Sequence, residues 1–270
     1  MSLLDISTDH CLVEQREHTL LITLNRPDAK NAFSQQMLMG LYRAWRRLDA
    51  DGELRCAVLT ANGDTFCAGM DLKSGPDQAL AAEFDALRQQ VPDLHWQALL
   101  RHQVPSKPII LAVEGYALAG GTEILQGTDI RVCANNAVFG ITEVARGLFP
   151  LGGSSVRLRR QIPYCLAAEM LLTGRHVSAR EALDWGLVNR VVEPGQALAE
   201  ALQIAGKICT NGPLAVAAVL KSLRANGAHL SEEEALRQEL IIGQPVFQSQ
   251  DAQEGMRAFA EKRPPIFRGL

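Results

Sequence analysis

At 270 residues the chain is longer than a common single domain, yet one elaborated α/β domain reaches this size, and 47% hydrophobic residues can fill a large core. A formal net charge of −3 excludes a global basic field that would draw the chain to nucleic acid. The longest apolar stretches, such as Ile109 to Val113, are far too short to cross a bilayer.

Along the chain, Leu20 to Leu24 reads as a strand that ends in the Asn25-Arg26-Pro27-Asp28 turn. From Ser34 to Leu48 apolar residues recur at helical spacing, with Ser34 as N-cap. Cys56 to Thr60 is a short buried strand entering the Asn62-Gly63-Asp64 turn. A polar segment from Lys73 to Gln78 precedes a helix that runs to about His102. Pro108 to Val113 is a further apolar strand, followed by Gly115, Gly120 and Gly121, a helical run from Glu123 to Gln126, and a strand from Ile130 to Cys133. Strand, turn, strand, helix recurs, which predicts stacked ββα units. Beyond Tyr164 the chain turns helical, with helices near Leu166–Leu172, Ala179–Trp185, Ala197–Cys209, Leu214–Ala225 and Ser231–Ile242, and a last one ending near Glu261. Residues 1–200 are read as a mixed core and 201–270 as a helical region whose spare apolar faces make an oligomer.

Met1 to Glu14 lacks a basic stretch followed by an apolar one, so no signal peptide is expected. Six scattered cysteines, without a C-x-x-C pair, predict reduced and mostly buried thiols in the cytoplasm. Ser154 and Ser155 lack a G-x-S-x-G elbow, and no phosphate-binding or dinucleotide fingerprint is present.

Two glycine turns carry potential chemistry. Thr65-Phe66-Cys67-Ala68-Gly69-Met70-Asp71 leaves a strand through small residues, and Ala119-Gly120-Gly121-Thr122-Glu123 enters a helix. Each can leave backbone N–H groups free for a developing oxyanion, but taken alone each reads first as a plain structural turn. Glu123 follows the glycine pair, where the helix dipole favours its ionised form. Glu143 sits in the mostly apolar Phe139-Gly140-Ile141-Thr142-Glu143-Val144, where burial would keep it neutral. One charged and one neutral carboxyl would suit acid–base catalysis. Spacing alone does not bring them together, and surface or capping roles remain open for both.

Over nearly its whole length the sequence resembles the crotonase (enoyl-CoA hydratase/isomerase) superfamily. The likeness runs through Ile22-Thr23-Leu24-Asn25-Arg26-Pro27, Asn31-Ala32, Phe66 to Leu72, Gly115 to Glu123, Gly147-Leu148-Phe149-Pro150-Leu151-Gly152-Gly153, Gly186-Leu187-Val188 and Glu254 to Arg263. The resemblance implies a spiral of ββα units with a helical C-terminal region that builds a homotrimer or homohexamer. It implies enoyl-CoA hydration, with Glu123 polarising a water for the β-carbon and Glu143 protonating the α-carbon. Ala68 and Gly120 would donate the oxyanion-hole N–H groups. Arg26, Lys30, Ala68, Gly69, Met70 and Asp71 would lie along the coenzyme A, with Phe259 and Lys262 reaching that of a neighbouring subunit. No cofactor is implied beyond the coenzyme A of the substrate, and neither a membrane nor a nucleic-acid partner.

The string from Ala119 to Asp129 looks like actinobacterial members, some of which take bulky acyl groups. Ala119 departs from the family by replacing a third glycine, and Ile141-Thr142 replaces a frequent Gln-Pro. Alternatives are Δ3,Δ2-enoyl-CoA isomerisation, an RNA-binding homologue using Arg43, Arg46 and Arg47, and a catalytically silent subunit.

Overall fold

A computed structural model of the chain describes residues 6–71, 73, 80–225 and 231–270. Met1–Asp5, Leu72 and residues 74–79, which hold most of the expected polar segment, lie outside the described residues.

Ten strands are described: β1 (Cys11–Arg16), β2 (Thr19–Leu24), β3 (Cys56–Ala61), β4 (Thr65–Cys67), β5 (Ile109–Val113), β6 (Tyr116–Leu118), β7 (Ile130–Ala134), β8 (Val138–Gly140), β9 (His176–Ser178) and β10 (Arg190–Val192). They form a six-stranded sheet in the order β1-β2-β3-β5-β7-β10 and a four-stranded sheet in the order β4-β6-β8-β9. The pairs β3/β4, β5/β6 and β7/β8 each send the first strand to the large sheet and the second to the small one. Every turn of the chain thus adds a parallel strand to both sheets, which is the expected ββα spiral.

The large sheet is buried on both faces, as parallel sheets usually are. Alternate residues divide between two cores: Ile22, Leu59, Leu111 and Val113 face inward, whereas Leu21, Val58, Ile110 and Ala112 face the other way. The inner face meets α1 (Gln35–Ala50), whose Met37, Leu41, Ala44, Trp45 and Leu48 are buried. Ser34 caps α1 as expected, accepting from the Met37 N–H. The helix expected to run to His102 is instead two, α2 (Ala81–Gln90) and α3 (Leu94–Ala98), divided at Pro92. The Trp45 indole N–H donates to the Ala98 carbonyl at 2.9 Å and pins α3 to α1.

The remaining helices are α4 (Gly120–Leu125), α5 (Ser154–Gln161), α6 (Tyr164–Thr173), α7 (Ala179–Asp184), α8 (Ala197–Cys209), α9 (Pro213–Ala225), α10 (Glu232–Gly243) and α11 (Gln250–Ala260). Helix α8 spans residue 200 and covers the outer face of the large sheet with Ala197, Ala201, Ile204 and Ala205. Helices α9 to α11 leave large apolar side chains in solvent, among them Leu223 (69% exposed), Ile241 (68%) and Phe259 (88%). Among the described residues no helix is long and apolar enough to cross a membrane.

Candidate active site

Because β4 and β6 are neighbours in the small sheet, the turns that leave them lie side by side. A Cβ built on Gly69 would fall 2.9 Å from the Ala119 Cβ and 3.4 Å from the Gly120 nitrogen, and Gly69 has φ +98°. Only glycine fits such an approach without strain. At this junction the N–H groups of Met70, Gly120 and Gly121 donate to no acceptor among the described residues, and of these three residues Met70 and Gly120 line the cleft. Gly120 is the first residue of α4, where the backbone N–H has no partner within the helix. Ala68, expected as a donor, is not available: its N–H donates to the Lys30 carbonyl at 3.0 Å. The free donors on residues that line the cleft are therefore those of Met70 and Gly120.

Glu123 lies on α4 and is 5% exposed. Thr122, its neighbour, stitches α4 to both adjoining strands: its hydroxyl donates to the Ala117 carbonyl and accepts from the Gly140 N–H. Strand β8 then leads directly into the single turn Glu143–Arg146, so the carriers of the two glutamates are locked together. The Ser154 hydroxyl donates to Glu123 Oε1 at 3.2 Å and accepts from the Gln126 amide at 2.8 Å.

Burial, reinforced by the nearby charge of Glu143, pushes the Glu123 carboxyl up to about 7. The N–H groups of Gly152 and Ser154 and the Ser154 hydroxyl oppose this shift without cancelling it. The helix dipole, expected to favour the ionised form of Glu123, does not offset burial and the charge of Glu143. Burial also raises the Glu143 carboxyl, as expected, although Arg146 pulls it back. Among the described residues Glu143 Oε2 is buried without a hydrogen-bond partner. Both carboxyl groups are thus displaced toward their neutral forms, and the charge of Glu143 adds to the rise at Glu123.

Both glutamates open into a cleft of about 900 Å³. One part of its wall carries Arg26, Lys30, Ala68, Met70 and Asp71; another carries His95, Trp96, Leu99, Leu118, Phe149 and Leu151. Arg26 pairs with Asp71 at 2.5 Å, and Asp71 also accepts from the Lys73 N–H at 2.9 Å, consistent with a turn-stabilising role. Lys30 pairs with Asp64 at 2.9 Å in solvent. The buried Asn31 shapes this loop, accepting from the Arg26 N–H and donating to the carbonyls of Asn62 and Thr65. Phe259 and Lys262 do not line the cleft of their own chain.

Residue patterns alone did not reveal Ser154, considered only as a nucleophile, nor His95 and Trp96. The Gly152-Gly153 pair was the available signal for Ser154, since glycines mark places where backbone approaches a neighbour closely.

The model of the enoyl-CoA hydratase/isomerase family matches residues 14–269. Enoyl-CoA hydratase EchA19 of Mycobacterium tuberculosis is 52% identical over 256 residues, covering 95% of each chain. The (E)-benzylidenesuccinyl-CoA hydratase of Thauera aromatica is 38% identical, covering 95% of this chain and 98% of its own. The crystal structure of enoyl-CoA hydratase EchA1 from Mycobacterium marinum superposes with a TM-score of 0.85 at 43% identity, over 97% of this chain and all of that one. Matched across its length in sequence and in fold, the chain belongs to the enoyl-CoA hydratase/isomerase family, the crotonase superfamily.

Proposed function

We propose that the protein is an enoyl-CoA hydratase that adds water across the 2,3 double bond of an enoyl-CoA to give a 3-hydroxyacyl-CoA. The observation that carries this reading is one cleft lined by a buried carboxyl group, a half-buried one and two backbone N–H groups that are unpaired among the described residues. The thioester oxygen would accept from Met70 and Gly120, which stabilise the enolate as water attacks the β-carbon. Glu123, fixed by Ser154, holds the water, and Glu143 delivers a proton to the α-carbon. The water oxygen bonds to the β-carbon while one water proton passes to the carboxyl pair. The pair gives one proton to the α-carbon, so it ends with as many protons as it began. The unpartnered Glu143 Oε2 supports this, because a buried polar atom without a partner is suited to an incoming water or substrate.

Arg26 and Lys30 stand at the cleft wall as the cationic groups for coenzyme A phosphates. The exposed apolar side chains of α9 to α11 support a homotrimer or homohexamer in which Phe259 and Lys262 reach a neighbour's site. The side chains and N–H groups account for the chemistry without a further cofactor, and six free thiols accord with a cytoplasmic enzyme. The wide cleft and its apolar wall favour a bulky acyl group. An RNA-binding role is disfavoured, since Arg43 pairs with Glu83 and Arg47 with Asp51.

The test follows absorbance of the conjugated thioester with crotonyl-CoA and with a bulky enoyl-CoA, for wild type, Glu123→Gln and Glu143→Gln. The reading requires loss of the enoyl signal, a 3-hydroxyacyl-CoA product, and a fall of at least about 10²-fold in each variant. Activity indifferent to both substitutions, or a shifted double bond as product, would refute it.

A further inference from the structure

On the outer face of the large sheet, away from the cleft, two thiols meet. Cys56 opens β3 and is fully buried, and Cys209 closes α8 and is half-buried. Their sulfurs lie 3.6 Å apart, and the Thr19 hydroxyl is 3.6 Å from each. The two residues are 153 positions apart in sequence, so the fold alone creates this pair.

The two thiols are not equivalent. The Cys56 thiol and the Thr19 hydroxyl favour a thiolate at Cys209, and the charges of His18 and Arg55 act in the same direction, so Cys209 lies below the ordinary thiol range. Cys56 is displaced upward by its contact with Cys209 and by burial. A partly exposed sulfur with thiolate character is the reactive one, and a buried neighbour within reach is a resolving thiol.

We propose that Cys209 and Cys56 form a peroxide-reactive dithiol that closes to an intramolecular disulfide. The Cys209 thiolate attacks one oxygen of hydrogen peroxide, the O–O bond breaks, and the departing hydroxide leaves as water after taking a proton. Cys209 is now a sulfenic acid, oxidised by two electrons. The Cys56 sulfur then attacks it, the S–S bond forms, and a second water leaves with the Cys56 proton. The bond would tie the last turn of α8 to the first residue of β3. Arg55 already holds this junction by donating to the carbonyls of Cys209 and Phe267. Closing so long a loop restricts the unfolded chain, so the oxidised protein would melt higher.

The experiment treats the reduced, native oligomer with a few equivalents of hydrogen peroxide, blocks free thiols with N-ethylmaleimide under denaturing conditions, and maps peptides without reduction. The expected result is a Cys56–Cys209 linked peptide that dithiothreitol reverses, together with a rise in Tm of several degrees. In Cys56→Ser, dimedone should instead trap a sulfenic acid at Cys209. Oxidation confined to the exposed Cys165, or both Cys56 and Cys209 still alkylated in wild type, would overturn the proposal. The wild-type map decides the matter even where the serine variant folds poorly.

Discussion

Gly152 presses its backbone against the carboxyl group of Glu123: a Cβ built on it would lie 2.3 Å from Oε2 and 2.9 Å from the Glu123 Cβ. A methyl group there must displace the glutamate carboxyl, and because the contact with the Glu123 Cβ is not at the flexible end of the side chain, the backbone must shift as well. Gly152→Ala is therefore expected to lower Tm and to lose about 10²-fold in kcat, the usual scale for an ångström of misplacement. Steady-state hydration kinetics beside a thermal melt check this. Unchanged kcat would mean that the position of the Glu123 carboxyl does not limit the reaction.

Burial of Glu123 also marks stability. A carboxyl raised from 4.5 to about 7 binds its proton more tightly in the folded chain than in the unfolded one. Its contribution is fully present below about pH 4.5 and is lost as pH rises through about 7. Glutamine keeps the shape without the charge. Glu123→Gln should match wild type near pH 4 and become more stable as pH rises, by about 2–3 kcal/mol above pH 7. Denaturant melts from pH 4 to 8 measure the difference, and a constant offset across that range would contradict the buried-carboxyl account.

Ala119 holds φ 50° and ψ −121°, a backbone conformation suited to glycine, at the position where the family commonly has one. Its methyl group sits over Gly69, between the turns that carry the free N–H groups. Relief of strain in Ala119→Gly is partly offset by the greater freedom of glycine in the unfolded chain. The expected net gain is about 1 kcal/mol, or roughly 2 °C in Tm for a chain of this length. A loss of stability would show that the methyl contact outweighs the strain.

Elements with a long apolar run or a full helical period were legible in the sequence: β2, β5, α1 and α8 lie within a residue or two of where the pattern put them. Strands β4, β6 and β8 were not, because three residues are too few to display a period of two, and their identity comes from pairing across the small sheet. Pro92 was a visible breaker, but the apolar residues on either side of it mimic one continuous helix. At the site, the types and positions of Glu123 and Glu143 were readable, whereas the charge on Glu123 was not. Its proton depends on burial and on the charge of Glu143, twenty residues away in sequence, with hydrogen bonds from Gly152 and Ser154, some thirty residues away, opposing the shift. The free N–H beside that of Gly120 lies two residues beyond the expected Ala68 for a similar reason. Nothing local to Ala68 shows that the carbonyl of Lys30 folds back to occupy its N–H.

That last difference is open to a direct test that leaves every side chain in place. Replacing a residue by its α-hydroxy acid turns one backbone amide into an ester and deletes a single N–H. At Met70, whose N–H has no acceptor among the described residues, the ester removes nothing from the folded scaffold. If that N–H serves the developing oxyanion as proposed, kcat should fall about 10²- to 10³-fold with little change in Tm. At Ala68 the ester deletes the hydrogen bond to Lys30, which should cost about 1 kcal/mol of stability and change kcat only modestly. The reverse pattern, with kcat collapsing at Ala68 and intact at Met70, would return the oxyanion role to Ala68 and require the Lys30 carbonyl to move aside when substrate binds.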